Sequence, residues 1–233
     1  MLAALGLVHA VREWLLPEDL DRLLIYSFGF VPARYDSSAL IDGVIPGEAG
    51  ASIWSFFTYA LIHADLMHLG FNAIWFLAFA SPVARRFGPW RFLAFLAVAV
   101  AAGALAHLLT HPGALAPMVG ASAAISGTMG AAARFAFEPG GPLDSWHGDR
   151  SAADRVPAAP LAVALRNPRV IAFVGVWFGL NLLFGLGSLT IAGENQTIAW
   201  QAHVGGFLAG LLLFAAFDPP TATTHQGGTA TLH

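Results

Sequence analysis

The most informative segment of the chain is Gly120-Ala-Ser-Ala-Ala-Ile-Ser-Gly-Thr-Met-Gly-Ala131. It opens an apolar region with a glycine, places Ser122 at the start and continues with small residues. A helix start carries free backbone N–H groups and a partial positive charge, which together can stabilise an oxyanion. Ser122 alone would more often be a helix cap. It becomes a candidate nucleophile if another part of the chain supplies a base.

The composition indicates an integral membrane protein. Apolar residues make up 57% of the 233 residues and charged residues only 11%. Several windows approach the roughly 20 apolar residues that a helix needs to cross a bilayer. The net charge of -3 is too small to suggest nucleic acid or an acidic substrate as a partner. The absence of cysteine excludes disulfides and thiolate chemistry.

The apolar segments predict an all-α, polytopic bundle of six transmembrane helices, with a short or truncated first helix at residues 2–11. A signal peptide is the alternative for that first segment. Residues 53–62 are too short to span and should lie at the interface or re-enter. The remaining spans are predicted at residues 66–83, 90–109, 120–137, 170–190 and 199–217, and Asn181 lies inside the fifth span.

The polar segments divide the chain into three parts. Residues 1–51 contain the weak first helix and a long external loop, residues 52–217 form the core, and residues 218–233 form a disordered cytoplasmic tail. Residues 138–169 are rich in Pro, Gly and Arg and are predicted to form a flexible soluble loop.

All basic residues are arginines, and their distribution predicts the orientation. Arg22 and Arg34 lie in loops on one side of the predicted bundle. The opposite side is arginine-rich and therefore cytoplasmic by the positive-inside rule. The arginines on that side are Arg85, Arg86, Arg91, Arg134, Arg150, Arg155, Arg166 and Arg169.

Four polar side chains converge in this topology. The second, fourth and sixth spans all run inward, so their first residues lie near the outer leaflet. His68 and Asn72 share a face of the second span, Ser122 begins the fourth, and His203 lies a turn or two into the sixth. Because a helix rises about 1.5 Å per residue, these four side chains can lie at the same depth below the outer surface of the membrane. Polar residues that meet in a bilayer indicate a functional site.

Small residues favour close approach of the fourth and sixth helices, as a serine–histidine hydrogen bond requires. The predicted packing positions are Gly127, Gly130, Gly206 and Gly210.

These residues fit a serine hydrolase. His203 removes the proton from Ser122, the serine attacks a peptide carbonyl, and the oxyanion is bound by the Ser122 N–H, His68 and Asn72. No acidic residue lies in a predicted span, so the arrangement is a dyad. His107 and His111 are spaced to share a metal, but no His-Glu-x-x-His pattern accompanies them, and we predict no metal.

Several motifs together resemble those of rhomboid intramembrane serine proteases. The resemblance covers roughly residues 54–217, and the motifs occur in the family's order. They are residues 54–64, His68-Leu-Gly-Phe-Asn72, Gly120-Ala-Ser122, Ser126-Gly-Thr-Met-Gly130 and Ala202-His-Val-Gly-Gly206.

The resemblance implies a six-helix core and cleavage of substrate proteins within or beside their transmembrane segments, with no cofactor. Residue by residue, it makes Ser122 the nucleophile, His203 the base, and His68 and Asn72 the oxyanion donors, while His63 matches a structural loop histidine. Ala123, Ser126 and Ser55 stand where the family commonly has Gly, an aromatic residue and Arg.

Two alternatives to an active protease are an inactive rhomboid-like protein that binds transmembrane helices and, more remotely, a transporter. The chain lacks the paired interrupted helices that would mark a transport path. The exclusive use of arginine and the Ala- and Gly-rich composition fit a bacterium with GC-rich DNA, so we expect a multi-pass protein of the bacterial inner (plasma) membrane.

Overall fold

The structure is a computed structural model that describes residues 1–36, 45–144, 150–185 and 198–219. Every regular element in these ranges is helical, which confirms the predicted all-α class. The helices are α1 (Leu2–Leu15), α2 (Glu18–Phe28), α3 (Glu48–Thr58), α4 (Leu66–Trp75), α5 (Ser81–Phe87), α6 (Pro89–Thr110), α7 (Ser122–Ala132), α8 (Arg150–Ala153), α9 (Leu161–Ala164), α10 (Pro168–Gly185) and α11 (Trp200–Phe217).

Three helical segments among the described residues are long and apolar enough to cross a membrane. They are Leu66–Phe87, Pro89–Thr110 and Trp200–Phe217, and a shorter apolar helix covers Pro168–Leu183. The first of these combines α4 and α5 through a π-helical segment, Phe76–Ala80, and ends four residues beyond the predicted end at residue 83. The predicted membrane bundle is therefore confirmed, although several of its helices are too short to qualify as spans by length alone.

The centre of the bundle is α7. All of its residues after Ser122 are buried, and α6 and α11 pack directly against it. The sequence extended this helix to about residue 137, whereas α7 ends at Ala132 and the chain continues in turns with tightened hydrogen bonds. Arg134 lies in these turns and donates to the carbonyl oxygens of Ala159 and Leu211. Apolar composition did not reveal this end because the buried turns are as apolar as the helix.

The N-terminal helix α1 is short, as predicted, with 14 residues. Arg12 attaches it to the bundle by donating to the His63 carbonyl oxygen at 2.7 Å, and Arg12 also pairs with Asp21 of α2. The prediction that one long loop follows the weak first helix within residues 1–51 is wrong, because α2 and the start of α3 lie there. Glu18, Asp19 and Asp21 stabilise the start of α2 through the helix dipole.

The prediction of a flexible loop at residues 138–169 is also wrong for its described part. Asp154 is buried and pairs with Arg85, and the Ala159 N–H donates to the Arg134 carbonyl oxygen. These contacts hold α8, α9 and their connections against one end of the bundle. The polar groups of this segment, which suggested solvent exposure in the sequence alone, have partners in ion pairs and backbone hydrogen bonds. The predicted end of the fifth span and the tail beyond residue 219 lie outside the described residues.

Candidate functional site

Ser122 and His203 come together at one end of α7 and α11. Ser122 is the first residue of α7, His203 lies in the first turn of α11, and both are half-buried. The distance from Ser122 Oγ to His203 Nε2 is 2.8 Å. This distance is a hydrogen bond, and its geometry is that of a hydroxyl beside a base that can remove its proton.

The two helices approach this closely because glycines line their contact. A methyl group on Gly206 would overlap the Ala123 carbonyl oxygen, and one on Gly210 would overlap that of Gly127. On α7, a methyl group on Gly127 would lie 2.6 Å from Ala99 Cβ of α6. Gly130 likewise faces the Phe207 carbonyl oxygen. The backbones are thus in direct contact, and any larger residue would separate Ser122 from His203.

The backbone before Ser122 is fixed on both sides. Phe30 and Met118 exchange two backbone hydrogen bonds, and the Gly120 N–H donates to the Tyr59 carbonyl oxygen at 3.0 Å. Gly120 has a φ of 121°, which side chains other than glycine rarely tolerate. A Cβ there would also lie 2.7 Å from Nε2 and Cε1 of His68. Glycine at this position therefore lets the His68 ring lie beside residues 118–121, the loop before the candidate nucleophile Ser122, which we call the nucleophile loop.

His68 presents a hydrogen-bond donor toward this loop. Asp65 caps α4 by accepting from the His68 backbone N–H at 2.7 Å, which fixes the histidine in the first turn. The Ala64 N–H donates to His68 Nδ1 at a long 3.5 Å. Since Nδ1 accepts, the proton of a neutral ring is on Nε2, the atom beside Gly120. The first N–H groups of α7, which begins directly after this loop, have no partner within their helix.

Asn72 is placed differently from His68. It is buried one turn further along α4, and its Nδ2 donates to the His68 carbonyl oxygen at 2.8 Å. Its described hydrogen bond therefore stays within its own helix and does not reach Ser122 or His203. One N–H of Nδ2 remains for a further acceptor.

A fifth residue at the site was not assigned from the sequence. Asn181 of α10 places Oδ1 2.5 Å from His203 Nδ1, on the opposite side of the ring from Ser122. The sequence placed Asn181 inside the fifth span and gave it no role. The available signal was the presence of an amide in an apolar span, where polar residues usually face a partner.

His63 supports the loop from behind. Its ring is fully buried, and Nε2 accepts from the Ala121 N–H at 3.4 Å. Burial, together with charge repulsion from the neighbouring His68, His9 and Arg12, lowers the pKa of His63 to about 3. The ring therefore stays neutral near pH 7 and keeps a lone pair for the backbone of the nucleophile loop.

His107 and His111, the other spaced pair, lie apart from these residues in α6 and just after it. Their rings stack at 4.5 Å, and His111 Nδ1 is 2.9 Å from Thr110 Oγ1. Within the described ranges, no three or more His, Cys, Asp or Glu side chains are grouped as metal ligands would be.

The fold and the site define a class: an integral membrane protein of packed helices that holds a serine hydroxyl against a histidine at a helix start. A family model described as the rhomboid domain matches residues 50–218. The chain belongs to the rhomboid family, an intramembrane protease-like family. A search of curated proteins found no match to the chain.

Proposed function

We propose that the protein is an intramembrane serine endopeptidase that cleaves transmembrane segments of other membrane proteins, and that it acts in the bacterial inner membrane. The observation that carries the proposal is the 2.8 Å distance between Ser122 Oγ and His203 Nε2 within a rhomboid domain. A serine hydroxyl needs an adjacent base to act as a nucleophile near neutral pH, and His203 is that base.

The reaction proceeds in two halves. His203 Nε2 takes the proton from Ser122 Oγ as the oxygen attacks the substrate carbonyl carbon, and the protonated histidine then donates to the leaving amine. A water molecule attacks the resulting ester as His203 takes its proton, and the histidine then returns this proton to Ser122 Oγ as the bond to the serine breaks and the acid product leaves. During each attack the oxyanion is stabilised by the free N–H groups at the start of α7 and by His68 Nε2–H. Asn72 contributes its remaining N–H.

The substrate must expose a peptide bond to a buried serine. A helical segment in a bilayer keeps its backbone groups hydrogen-bonded to itself, so it has to unwind locally before Ser122 can reach a carbonyl. Small, helix-weakening residues near the cleavage site favour this step. Residues 52–217 form the protease core under this proposal.

The alternative function is binding of transmembrane helices without cleavage. It is favoured by the hydrogen bond that holds the Asn72 amide on its own helix and by Ala123, which stands where the family commonly has glycine. Both positions border the site where the oxyanion would form. The presence of both Ser122 and His203 favours cleavage, since a binding protein has no need of the pair.

Labelling of the purified protein with a fluorophosphonate separates the two functions. We expect the native protein to react covalently, and Ser122→Ala and His203→Ala to lose the label while melting at the native temperature. Labelled protein that also cuts a reporter transmembrane segment establishes the protease. A folded native protein that neither labels nor cuts contradicts the proposal and supports the binding function.

A further inference from the structure

Asn181 bonds on both sides of its amide, and the two bonds together determine its orientation. Nδ2 donates to the Trp177 carbonyl oxygen at 2.8 Å, and Oδ1 lies 2.5 Å from His203 Nδ1. A backbone carbonyl can only accept, so the amide nitrogen must be the atom that faces Trp177. The atom facing the histidine is therefore the oxygen, which can also only accept.

This orientation selects one tautomer of His203. Because Oδ1 cannot donate, Nδ1 must carry the ring proton, and Nε2 of the neutral ring is left with its lone pair. Nε2 is the atom that meets Ser122 Oγ. The opposite tautomer would present an N–H to the serine and could not take its proton. The ring orientation and the tautomer that general-base action requires thus follow from a single amide.

The position of Asn181 depends in turn on how α10 packs. One turn from the Asn181–His203 contact, the Trp177 ring stacks on Phe207 of α11, with centroids 4.3 Å apart and planes inclined by 22°. Trp177 and Asn181 are four residues apart on α10, and His203 and Phe207 are four apart on α11. The two contacts therefore form adjacent layers between the helices.

We propose that Asn181 is a positioning residue that holds His203 in the Nδ1–H tautomer, so that the site works as a Ser122–His203–Asn181 triad rather than as a dyad. The inference rests on the proposed serine protease function. A neutral amide suits this place, because it orients the ring without the cost of burying a carboxylate in the bilayer. The competing interpretation is that the contact only satisfies two polar groups within a helix interface.

The first test compares rates of fluorophosphonate labelling. Asn181→Leu keeps the size of the side chain and removes both hydrogen bonds, and we expect its second-order rate constant to fall at least about tenfold, as for loss of the group that orients a catalytic histidine. Asn181→Ala serves the same purpose if the leucine variant does not fold. Asn181→Asp restores an acceptor for Nδ1–H and should label faster than the leucine variant. Leu180→Ala, at an exposed position of the same helix, is the control and should label at the native rate.

The second test reads the tautomer directly and does not depend on activity. In protein labelled with ¹⁵N-histidine, the His203 signals are identified by their loss in His203→Gln, and their shifts distinguish a protonated from an unprotonated ring nitrogen. We expect Nδ1–H in the native protein and a mixture of tautomers in Asn181→Leu. An Nε2–H tautomer in the native protein, or an unchanged tautomer and labelling rate in the leucine variant, overturns the inference. A native protein that does not label refutes the proposed function, while the spectrum still decides the role of Asn181.

Discussion

His68 and Asn72, the two residues predicted to stabilise the oxyanion, differ in which of their side-chain N–H groups remain free of other hydrogen bonds. The proton of His68 is on Nε2, beside Gly120, because Nδ1 accepts from the backbone of Ala64. The amide of Asn72 has one N–H committed to the His68 carbonyl oxygen. The donor that points at the nucleophile loop is therefore histidine, and Asn72 supports it from the next turn. We therefore expect unequal contributions from two positions that the sequence analysis treated as equal.

We accordingly predict a larger loss for His68→Ala than for Asn72→Ala. The first should lower the rate of peptide cleavage by about 10²-fold, as expected for loss of one oxyanion donor, and the second should lower it less. Steady-state cleavage of a reporter transmembrane segment measures both, and His111→Ala outside the site should cleave at the native rate. A native rate in His68→Ala would remove this residue from the site.

Among single residues, the sequence identified those whose positions follow a pattern along the predicted spans. Ser122 and His203 lie at corresponding ends of helices that run in the same direction, so their meeting followed from the order of the spans. Asn181 belongs to no such pattern. The contact between Asn181 and His203 depends on the rotation of α10 about its axis. Trp177, which stacks on Phe207, helps to fix this rotation. The position of one amide in an apolar segment predicts neither the rotation nor the stacking.

Among the elements, α7 and α11 carry the geometry of the site through their backbones. Ala123, Gly127, Gly206 and Gly210 form a contact in which carbonyl oxygens of α7 face Cα atoms of α11. Because side chains are almost absent from this contact, it cannot adjust by a change of rotamer. The distance between Ser122 and His203 is therefore coupled directly to the packing of the two helices.

We predict that Gly210→Ala damages both stability and the site. The added methyl group overlaps the Gly127 carbonyl oxygen, and overpacking of this kind costs about 1–3 kcal/mol. The apparent melting temperature in detergent should fall, and the rate of fluorophosphonate labelling should fall with it. Gly179→Ala is the matched control, since a methyl group there meets nothing within 4 Å and alanine favours the helix. Equal stability of the two variants would contradict the close-packing account.

The ends of elements were the least predictable feature. The all-α class followed from apolar segments of helical length, whereas the end of α7 at Ala132 is set by Arg134 and its partners Ala159 and Leu211, which are distant in sequence. Residues 138–169 were predicted to form a soluble loop because the sequence shows their polar residues but not the partners of those residues. Buried Asp154 shows the error, since its charge is paired with Arg85.

At the scale of the whole molecule, the proposed site and the larger network of buried charge lie at opposite ends of the bundle. The proposed site lies at the starts of α4, α7 and α11. The other ends of the helices are joined by arginines, for which the positive-inside rule predicts a cytoplasmic location. The centre of this second region is Arg86 of α5, which is buried and binds Asp218, at the end of α11, through two hydrogen bonds of 2.6 and 2.9 Å.

Arg86 connects α5 to three other parts of the chain. Besides Asp218, it donates to the carbonyl oxygens of Asp154 and Val156, and its guanidinium lies 4.7 Å from the centre of the Phe135 ring. The same side chain thus holds α5, the end of α11, the turns after α7 and the segment after α8. Arg12, at the site end of the described bundle, is also buried and joins α1 to α2 and to His63, but it has fewer partners than Arg86.

We predict that Arg86→Met lowers stability strongly without changing the chemistry of the site. Removal of one partner of a buried ion pair leaves Asp218 and two carbonyl groups without their donor, which costs about 3–5 kcal/mol. The apparent melting temperature in detergent should therefore fall sharply, while the folded fraction at low temperature still labels at the native rate, because Ser122 and His203 lie at the other end of α7 and α11. Arg22→Met is the matched control: Arg22 pairs with Glu18 on the surface, where both side chains are exposed, and its removal should barely change the melting temperature. If Arg86→Met melted at the native temperature, the arginines at this end would serve orientation alone, and the bundle would be held together by helix packing.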